Sequence, residues 1–318
     1  LNGSIVFIAI LFILLIYGGM KLDKSSKQLT VFTPTYNRAF CLGNCYESLK
    51  KQTCKEFKWL IIDDGSSDGT EQLVRSWIEE GIVDIRYVFQ ENQGMHGAHN
   101  TAYQLIDSEL NVCIDSDDYM PIDAVEKIIA FWSRYGGEHA AGLIGLDAFP
   151  DGKIIGTRLQ EDKKKSTLFH LYHKHGVKGD KKLVYRTALT KNFPYPLFQN
   201  ERYVGLDYKY YQLDCYYEML LMNEVICFVD YLEDGSSLNM LSQYRRNPKG
   251  FSFYRKELMK LPMAGILFKF RQAIHYVSSS ILEGNKRFLW DTPEKWLTGL
   301  AIVPGLLLYA YIMRKTAT

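Results

Sequence analysis

Four short apolar runs alternate with helix-like segments between residues 28 and 120, and this alternation limits the fold more than any other feature of the chain. The runs are predicted strands at residues 29–33, 58–62, 85–89 and 112–114. Helices are predicted over residues 39–52 and 71–79, and from residue 94 to about 106. Because such alternation produces right-handed crossovers, we predict an α/β fold with a mostly parallel, Rossmann-like sheet flanked by helices.

Each predicted strand is followed by a polar motif. The motifs read PTYNR at residues 34–38, DDGSSDGT at 63–70, ENQG at 91–94 with AHN at 98–100, and DSDD at 115–118. Parallel sheets of this kind bind ligands at the carboxyl ends of their strands. We therefore expect the four motifs to meet along one edge of the sheet and to form the functional site.

The last motif places three carboxylates, Asp115, Asp117 and Asp118, within four residues. They repel one another unless a cation lies between them, and oxygen ligands suit Mg²⁺ or Mn²⁺ better than Zn²⁺. A solvated turn in which Asp117 or Asp118 caps the next helix remains an alternative. A calcium loop is disfavoured, because Met120 stands at the sixth position, where such loops need glycine.

The charge of the chain is unevenly distributed. From Arg245 to the end there are 13 Lys and Arg against 4 Asp and Glu, whereas the preceding residues carry 25 against 32. A basic and apolar tail favours an anionic membrane surface as partner. The tail contains no recognisable nucleic-acid-binding module, so we expect no nucleic acid partner. Residues 296–313 approach the length of a membrane span, with an expected break at Pro304-Gly305, which favours shallow or re-entrant membrane contact over a clean crossing. For the tail from Leu258, a helix in the membrane interface and packing onto the body are equally simple explanations.

The amino-terminal segment allows two interpretations. Residues 5–20 are almost wholly apolar and are followed by Lys21, Lys24 and Lys27, which is the pattern of an anchor that leaves the rest of the chain in the cytoplasm. Alternatively, Met20 is the natural start and the apolar segment lies outside the natural product. The six cysteines have no metal-binding spacing and are interpreted as reduced thiols, which agrees with the cytoplasmic face of a membrane.

The pattern is less regular after residue 131. Strands are predicted at residues 141–149, 153–156, 182–186 and 225–231, with one long helix at 207–223. The predicted organisation is an apolar segment at 1–27, a catalytic domain at 28–244 with a nucleotide-binding half (28–120) and an acceptor half (121–244), and a membrane-associating tail at 245–318.

The order and spacing of the four motifs resemble the GT-A fold glycosyltransferases, specifically the inverting "family two" group that uses nucleotide sugars. The resemblance covers roughly residues 28–250. Within the group, the chain is most similar to enzymes of bacterial capsular or surface polysaccharide synthesis. Later pieces of the same pattern are GDK at 179–181, FPYP at 193–196, DG at 234–235 and NPKG at 247–250. It implies metal-dependent transfer from a UDP-sugar to an acceptor hydroxyl, with a polyprenyl-diphosphate-linked saccharide as the expected acceptor.

The resemblance also implies roles for individual residues. Tyr36 would lie against the base or ribose, and Asp64 would accept a hydrogen bond from the uracil N–H. Asp117 would coordinate Mn²⁺ or Mg²⁺, Asp115 would contact the ribose or a metal-bound water, and Asp118 would support them. The full set expected to bind the nucleotide sugar is Pro34, Thr35, Tyr36, Arg38, Asp64, Asn92, Gly94, Asn100, Asp115 and Ser116.

The sequence leaves two roles open. The catalytic base maps to residues 200–207, where Glu201 and Asp207 are both candidates and Asp207 is slightly favoured. The basic residue that the family often has near position 95 or 99 is replaced here by Met95 and His99. The candidates for neutralising the diphosphate are therefore His96, His99, Arg186 and Lys249.

Two other classes of function compete with a glycosyltransferase. A sugar nucleotidyltransferase would carry a glycine-rich basic loop after the first strand, but residues 34–38 contain no glycine. A non-catalytic membrane-bound nucleotide-sugar binder would not need intact carboxylates at positions 64, 115 and 117, but the unassigned base keeps this alternative open.

Overall fold

The structure, a computed structural model, describes residues 27–230 and 240–316. The predicted anchor at residues 5–20 and the DG motif at 234–235 lie outside the described residues. Within the described ranges, eight strands form a single sheet with the order β3-β2-β1-β4-β7-β5-β8-β6. Their bounds are β1 (Leu29–Thr35), β2 (Phe57–Asp63), β3 (Ile85–Phe89), β4 (Leu110–Cys113), β5 (Ala140–Ala148), β6 (Lys165–Ser166), β7 (Lys181–Arg186) and β8 (Glu218–Phe228).

The sheet changes character in its middle. Strands β1 to β4 pair in parallel, as the alternation of strands and helices predicts. Strand β7 then lies antiparallel to both β4 and β5, while β8 is parallel to β5 and β6 is a short antiparallel edge strand. The predicted α/β fold with a mostly parallel sheet is confirmed.

Helices cover both faces of this sheet. In chain order they are α1 (Leu42–Lys50), α2 (Thr70–Glu80), α3 (Met95–Leu105), α4 (Ala124–Tyr135), α5 (Leu168–His173), α6 (Thr187–Thr190), α7 (Asp207–Asp214), α8 (Met240–Arg246), α9 (Pro248–Lys260), α10 (Ile266–Glu283), α11 (Phe288–Asp291), α12 (Lys295–Leu300) and α13 (Ile302–Lys315). Apolar residues of α1, α2 and α4 form one core, and those of α3, α5, α7 and α9 form the other.

Successive residues of one strand serve the two cores in turn. In β2, Trp59 and Ile61 face the first core, and Leu60 and Ile62 face the second, with all four at most 3% exposed. Side chains alternate between the two faces of a strand. Because both faces are covered, the strands need apolar residues at every position, which explains their continuous apolar runs.

The predicted helix over residues 207–223 is wrong in its second half. Helix α7 ends at Asp214, and β8 begins at Glu218. The buried carboxylate of Asp214 accepts hydrogen bonds from the backbone N–H groups of Leu168 (3.2 Å) and Phe169 (2.7 Å), at the start of α5. Residues 219–222 then enter the sheet between β5 and β6. A short apolar run does not distinguish a buried strand from a buried helix, and here sheet pairing decided the outcome.

Two further predictions are corrected. The predicted strand at 153–156 is reduced to one isolated bridge between Ala148 and Ile154. The expected break at Pro304-Gly305 falls instead at Ala301, between α12 and α13. Pro304 lies in the first turn of α13, where a missing N–H has no helical acceptor in any case.

Helix α9 belongs physically to the second core although its residues lie beyond the predicted boundary at 244. Tyr254 and Leu258 are at most 6% exposed and pack in the same cluster as Tyr211 and Leu213 of the α7 helix. The division at residues 244 and 245 remains a prediction, but α9 contributes to the packing around the acceptor half.

Candidate active site

The four polar motifs follow strands that end along the same edge of the sheet, here called the carboxyl edge. Thr35 at the end of β1 pairs with Asp63 at the end of β2, which in turn pairs with Phe89 at the end of β3. On the other side of β1, Phe32 pairs with Cys113, the last residue of β4. The residues after each strand are therefore neighbours, as the sequence predicts.

Hydrogen bonds lock the first two motifs together. Asn37, with a φ of 53°, donates its backbone N–H to the Ser66 hydroxyl (2.8 Å), and its side-chain oxygen accepts from the Ser67 N–H (2.8 Å). This arrangement leaves Tyr36 half exposed at the carboxyl edge, whereas the Thr35 hydroxyl is buried and has no hydrogen-bond partner in the described part of the chain. Pro34 is buried within β1, and Arg38 is half-buried beyond it.

The three aspartates of the second motif make different hydrogen bonds. Asp63 is fully buried and accepts from the Ser66 N–H (2.7 Å) and the Tyr87 hydroxyl (2.6 Å), so it builds the turn. Asp68 accepts from the Thr70 N–H (3.0 Å) at the start of α2. Asp64 is left to point toward the loop that follows β3.

Asp64 ties the second motif to the third. Its Oδ1 accepts from the Gln93 N–H (2.9 Å) and the Gln90 side chain (2.7 Å), and its Oδ2 accepts from the Gly94 N–H (2.8 Å). Burial raises the pKa of Asp64, and these hydrogen bonds oppose that shift. A carboxylate has about four acceptor positions, so one position on Oδ2 is left for another donor.

Gly94 joins the two halves of the domain. Its φ of 83° and ψ of 166° belong to a region that only glycine adopts readily. A Cβ at this position would lie 2.1 Å from the backbone oxygen of Arg202. The loop after β3 therefore lies directly against Arg202 of the acceptor half.

The two asparagines of the third motif, Asn92 and Asn100, also lie against backbone atoms of other segments. Asn92 lies against Gly65, whose added Cβ would come within 3.1 Å of the Asn92 nitrogen. Asn100 uses both ends of its amide on the backbone of Tyr195, donating to its oxygen (2.8 Å) and accepting from its nitrogen (2.9 Å). Asn100 therefore fixes the acceptor half against α3, and a contact with the nucleotide remains a prediction.

The acidic motif is partly neutralised by the chain itself. The Lys182 ammonium donates to Asp118 Oδ2 at 3.2 Å, and both side chains are nearly buried. Burial raises the pKa of the Asp118 carboxyl, while Lys182 lowers it. The Asp118 N–H donates to the Asp115 backbone oxygen (3.0 Å), which curls the motif around the buried Ser116. Asp115 and Asp117 are less deeply buried than Asp118.

This donor set fits a divalent cation held jointly with a phosphate group. In the described ranges, no three side chains of His, Cys, Asp or Glu are arranged as a complete metal site. Asp118 has Lys182 as its partner, and the carboxylates of Asp115 and Asp117 remain predicted ligands. Mg²⁺ and similar ions are commonly held by one or two carboxylates plus substrate phosphates.

The two candidate bases have different environments. The Glu201 carboxylate accepts from the backbone N–H groups of Lys249 (3.1 Å) and Gly250 (2.8 Å), so it caps α9. Asp207, in the first turn of α7, accepts from the Tyr254 hydroxyl (2.6 Å). Burial raises the pKa of Asp207, which makes its carboxylate a stronger base.

Three of the four predicted diphosphate-binding residues are poorly suited to that role. Burial lowers the pKa of His96 to about 4 and that of His99 to about 3, so both rings are uncharged near neutral pH. Arg186 pairs in register with Leu110 at the beginning of β4, so it lies at the opposite edge of the sheet. Its guanidinium donates to the backbone oxygens of Ala140 (2.7 Å) and Glu138 (3.0 Å).

Arg202 is a basic residue at the carboxyl edge that sequence reasoning missed. It is exposed, its backbone lies against Gly94, and its N–H donates to the Asn247 side chain (2.6 Å). Lys249, the fourth candidate, is exposed at the same junction. No periodic pattern or motif marks Arg202 in the sequence.

The sequence is similar to known proteins. The sequence profile described as "Glycosyl transferase family 2" matches residues 30–191. GalNAc(5)-diNAcBac-PP-undecaprenol beta-1,3-glucosyltransferase of Campylobacter jejuni is 26% identical over 182 residues, which are 56% of each protein. Glycosyltransferase GlyA of Streptococcus pneumoniae is 31% identical over 117 residues, 36% of this chain and 16% of that protein. These matches span less than two thirds of the relatives' own lengths.

Solved structures support the fold. S. aureus TarS residues 1–349, crystallised with UDP-GlcNAc, superposes with a TM-score of 0.59 at 16% identity, covering 90% of this chain and 81% of that one. Mannosyltransferase PcManGT from Pyrobaculum calidifontis, in complex with GDP-Man and Mn²⁺, has a TM-score of 0.51 at 15% identity, covering 89% and 87%. The described chain thus has the GT-A architecture, including helices after the matched region.

Replacing Gly94 by alanine should disrupt the junction between the two halves. We expect Gly94→Ala to lower the free energy of unfolding by about 3 kcal/mol, because it combines a glycine-only conformation with a collision at Arg202. Gly152→Ala is the matched control, since Gly152 has a φ of 84° but no atom within 4 Å of an added Cβ. It should cost only about 1 kcal/mol. Urea unfolding of both variants measures the difference, and equal losses would contradict the proposed close approach.

Proposed function

The chain belongs to glycosyl transferase family 2, and we propose that it moves a sugar from a uridine diphosphate donor to an acceptor hydroxyl with inversion at the anomeric carbon. It is a nucleotide-sugar-dependent glycosyltransferase with the GT-A fold. The observation that carries the finer proposal is the meeting of Tyr36, Asp64 and the Asp115–Asp117 pair along one carboxyl edge. A nucleoside, its phosphates and a cation need these groups side by side.

Asp64 and Tyr36 are proposed to bind the nucleoside. The remaining acceptor position on Asp64 Oδ2 suits the N–H of uracil, whereas cytosine offers only an acceptor at the equivalent nitrogen. The half-exposed ring of Tyr36 supplies a flat surface for the base or ribose. The buried, unpartnered hydroxyl of Thr35 adds a polar group on the same strand end.

Asp115 and Asp117 would hold the cation, Mn²⁺ or Mg²⁺, together with the donor phosphates. When bound, the cation neutralises the charge that develops as the nucleoside diphosphate leaves. Asp118 would keep the motif in place through its ion pair with Lys182.

We propose that the Arg202 side chain binds the diphosphate and neutralises part of its charge. It lies against the Gly94 loop, where the family's basic residue is replaced by Met95 and His99. An exposed guanidinium can donate two parallel hydrogen bonds to phosphate oxygens, which an uncharged buried imidazole cannot do. Lys249 lies at the same junction and would add a second charge.

Asp207 is proposed as the base that removes the proton from the acceptor hydroxyl. Its raised pKa favours proton uptake, and the Tyr254 hydroxyl orients its carboxylate. Inversion follows from a single displacement, in which the acceptor oxygen attacks the face of the sugar opposite the leaving diphosphate. Glu201, whose carboxylate caps α9, is then a positioning residue that places Arg202.

The acceptor is proposed to be a lipid-linked saccharide, which would place the enzyme at the cytoplasmic face of a membrane during surface polysaccharide synthesis. The name of the Campylobacter jejuni relative describes an undecaprenol-linked acceptor for that protein. The basic, apolar tail of this chain supports the same class of acceptor.

Release of UDP from a UDP-sugar, in the presence of acceptor, should require a divalent cation and Asp117. We expect Asp117→Asn to reduce turnover at least a hundredfold with little change in melting temperature, because a carboxylate ligand is lost at a partly exposed position. Asp123→Asn is the control, since Asp123 belongs to the same segment but pairs with Lys127 at 3.0 Å. UDP binding that is unchanged by chelator and by Asp117→Asn would contradict the metal assignment. Release of pyrophosphate would indicate a nucleotidyltransferase, and binding without turnover a non-catalytic binder.

Substitution of the two acidic candidates should separate catalysis from structure. Asp207→Asn should abolish transfer and preserve UDP-sugar binding, because only proton removal is lost. Glu201→Gln should lower the melting temperature by removing a charged cap from α9, while transfer persists at reduced rate. Turnover and thermal unfolding of both proteins check this assignment. The reverse pattern would assign the base to Glu201.

Arg202→Gln should weaken binding of UDP by roughly tenfold to a hundredfold, since hydrogen bonds to a charged group contribute about 1.5–3 kcal/mol. Arg186→Gln is the control, because Arg186 occupies the opposite edge of the sheet. Isothermal titration with UDP in the presence of Mn²⁺ measures both. Equal affinity for the Arg202→Gln variant and the unmodified protein would remove Arg202 from the diphosphate site.

A further inference from the structure

Helices α12 and α13 expose an apolar stripe to solvent. Its residues, called the outer stripe, are Trp296, Leu300, Val303, Leu307 and Tyr311, at successive spacings of 4, 3, 4 and 4. These spacings place the residues on one side of a helix. They are 90, 70, 67, 67 and 50% exposed, respectively, which is unusual for apolar side chains of this size in a regular pattern.

The opposite side of the same two helices is packed against the protein. Thr298, Ala301 and Ile312 are fully buried, and Gly305 approaches α10 so closely that an added Cβ would lie 2.6 Å from Val277. The Gly305 N–H donates to the Ala301 oxygen at 2.8 Å, so hydrogen bonding continues across the junction of the helices. The inner side fixes the orientation of both helices, and the outer stripe is held outward.

Basic residues flank the outer stripe at both ends. Lys295 precedes Trp296, and Arg314 and Lys315 follow Tyr311, all of them exposed. A second exposed tryptophan, Trp290 (72%), is preceded by a basic pair at residues 286–287. Across residues 286–315 there are five Lys and Arg and two Asp and Glu. Aromatic rings beside basic side chains are the composition found at the interface between lipid and water.

A crossing of the bilayer does not account for this surface. Among the described helices, none combines the length and the apolarity that a membrane span requires. The inner side of α12 and α13 is moreover occupied by contacts with α10. The surface is therefore suited to an element that lies along a membrane with one side in the lipid.

We infer that the outer stripe docks the enzyme onto an anionic lipid surface, with Trp296 and its neighbours among the acyl chains and Lys295, Arg314 and Lys315 at the phosphate groups. A second copy of the chain fits less well, because it would bring the same basic residues to the interface, whereas anionic lipid matches the flanking charges. The inference deepens the proposed function, since a lipid-linked acceptor would be presented at the same surface. Docking and transfer are separable, because docking can be measured without any sugar.

Tryptophan fluorescence of the full chain can locate the contact. Trp59, Trp77 and Trp132 are at most 8% exposed, so acyl-chain quenchers should reach only Trp290 and Trp296. Vesicles containing phosphatidylglycerol and brominated acyl chains should quench the unmodified protein, and Trp296→Phe should lose most of that quenching. Because the readout is tied to Trp296, membrane binding through another segment of the chain would not produce it. Quenching that is absent, or equal in Trp296→Phe, would overturn the proposal.

The lipid charge and the apolar stripe can be tested separately by vesicle sedimentation. Replacing Arg314 and Lys315 by glutamine should weaken binding to anionic vesicles roughly 30-fold, at about a factor of five for each basic residue. Leu307→Asp should weaken it on neutral and anionic vesicles alike. Ile82→Asp is the matched control, because Ile82 is an exposed apolar residue (45%) after α2, away from the tail. Equal effects of Leu307→Asp and Ile82→Asp would contradict the assigned surface.

Two further measurements distinguish other outcomes. A dimer that Leu307→Asp dissociates in the absence of lipid would assign the stripe to a second copy and overturn the proposal. Transfer to a soluble acceptor should be unchanged in Leu307→Asp, since the stripe is remote in sequence from the catalytic residues. Failure of docking with intact transfer would refute only this inference, whereas loss of all UDP release in the unmodified protein would refute the proposed function.

Discussion

The carboxylate of Asp64 holds together the loops on which the rest of the active site depends. It directly follows β2, accepts the N–H groups of Gln93 and Gly94, and thereby fixes the loop after β3 against the second motif. Gly94 in turn supports the backbone of Arg202 in the acceptor half. Because Asp64 is buried, its hydrogen bonds form in a low-dielectric environment where an unpaired carboxylate would be costly. One buried group therefore couples the nucleotide half to the acceptor half.

The first half of the fold could be predicted from the sequence because its signals are local. Apolar strands that end in polar motifs, separated by helix-length segments, specify a parallel sheet without information about distant contacts. The prediction failed where contacts with distant parts of the chain determine the secondary structure. Residues 218–223 have a helix-like pattern, but they form a strand because β5 and β6 flank them. The break that was expected at Pro304 lies at Ala301, because proline is tolerated in the first turn of a helix.

The site was predictable in its carboxylates and not in their partners. The sequence shows three carboxylates close together, at Asp115, Asp117 and Asp118. The ion pair between Lys182 and Asp118 could not be predicted, because it requires β7 to lie antiparallel beside β4. Likewise, Glu201 and Asp207 are equivalent in sequence. They are distinguished only when α9 supplies two N–H groups to the first and the Tyr254 hydroxyl to the second.

The hydrogen bond from Tyr254 to Asp207 has a consequence for exchanging acceptor specificity between relatives. The family profile ends at residue 191, so both partners lie beyond it, and 47 residues separate them in the sequence. A chimera that grafts α7 without α9 would lack the hydroxyl that donates to Asp207. The exchangeable unit therefore has to include both α7 and α9, because these two helices share one core.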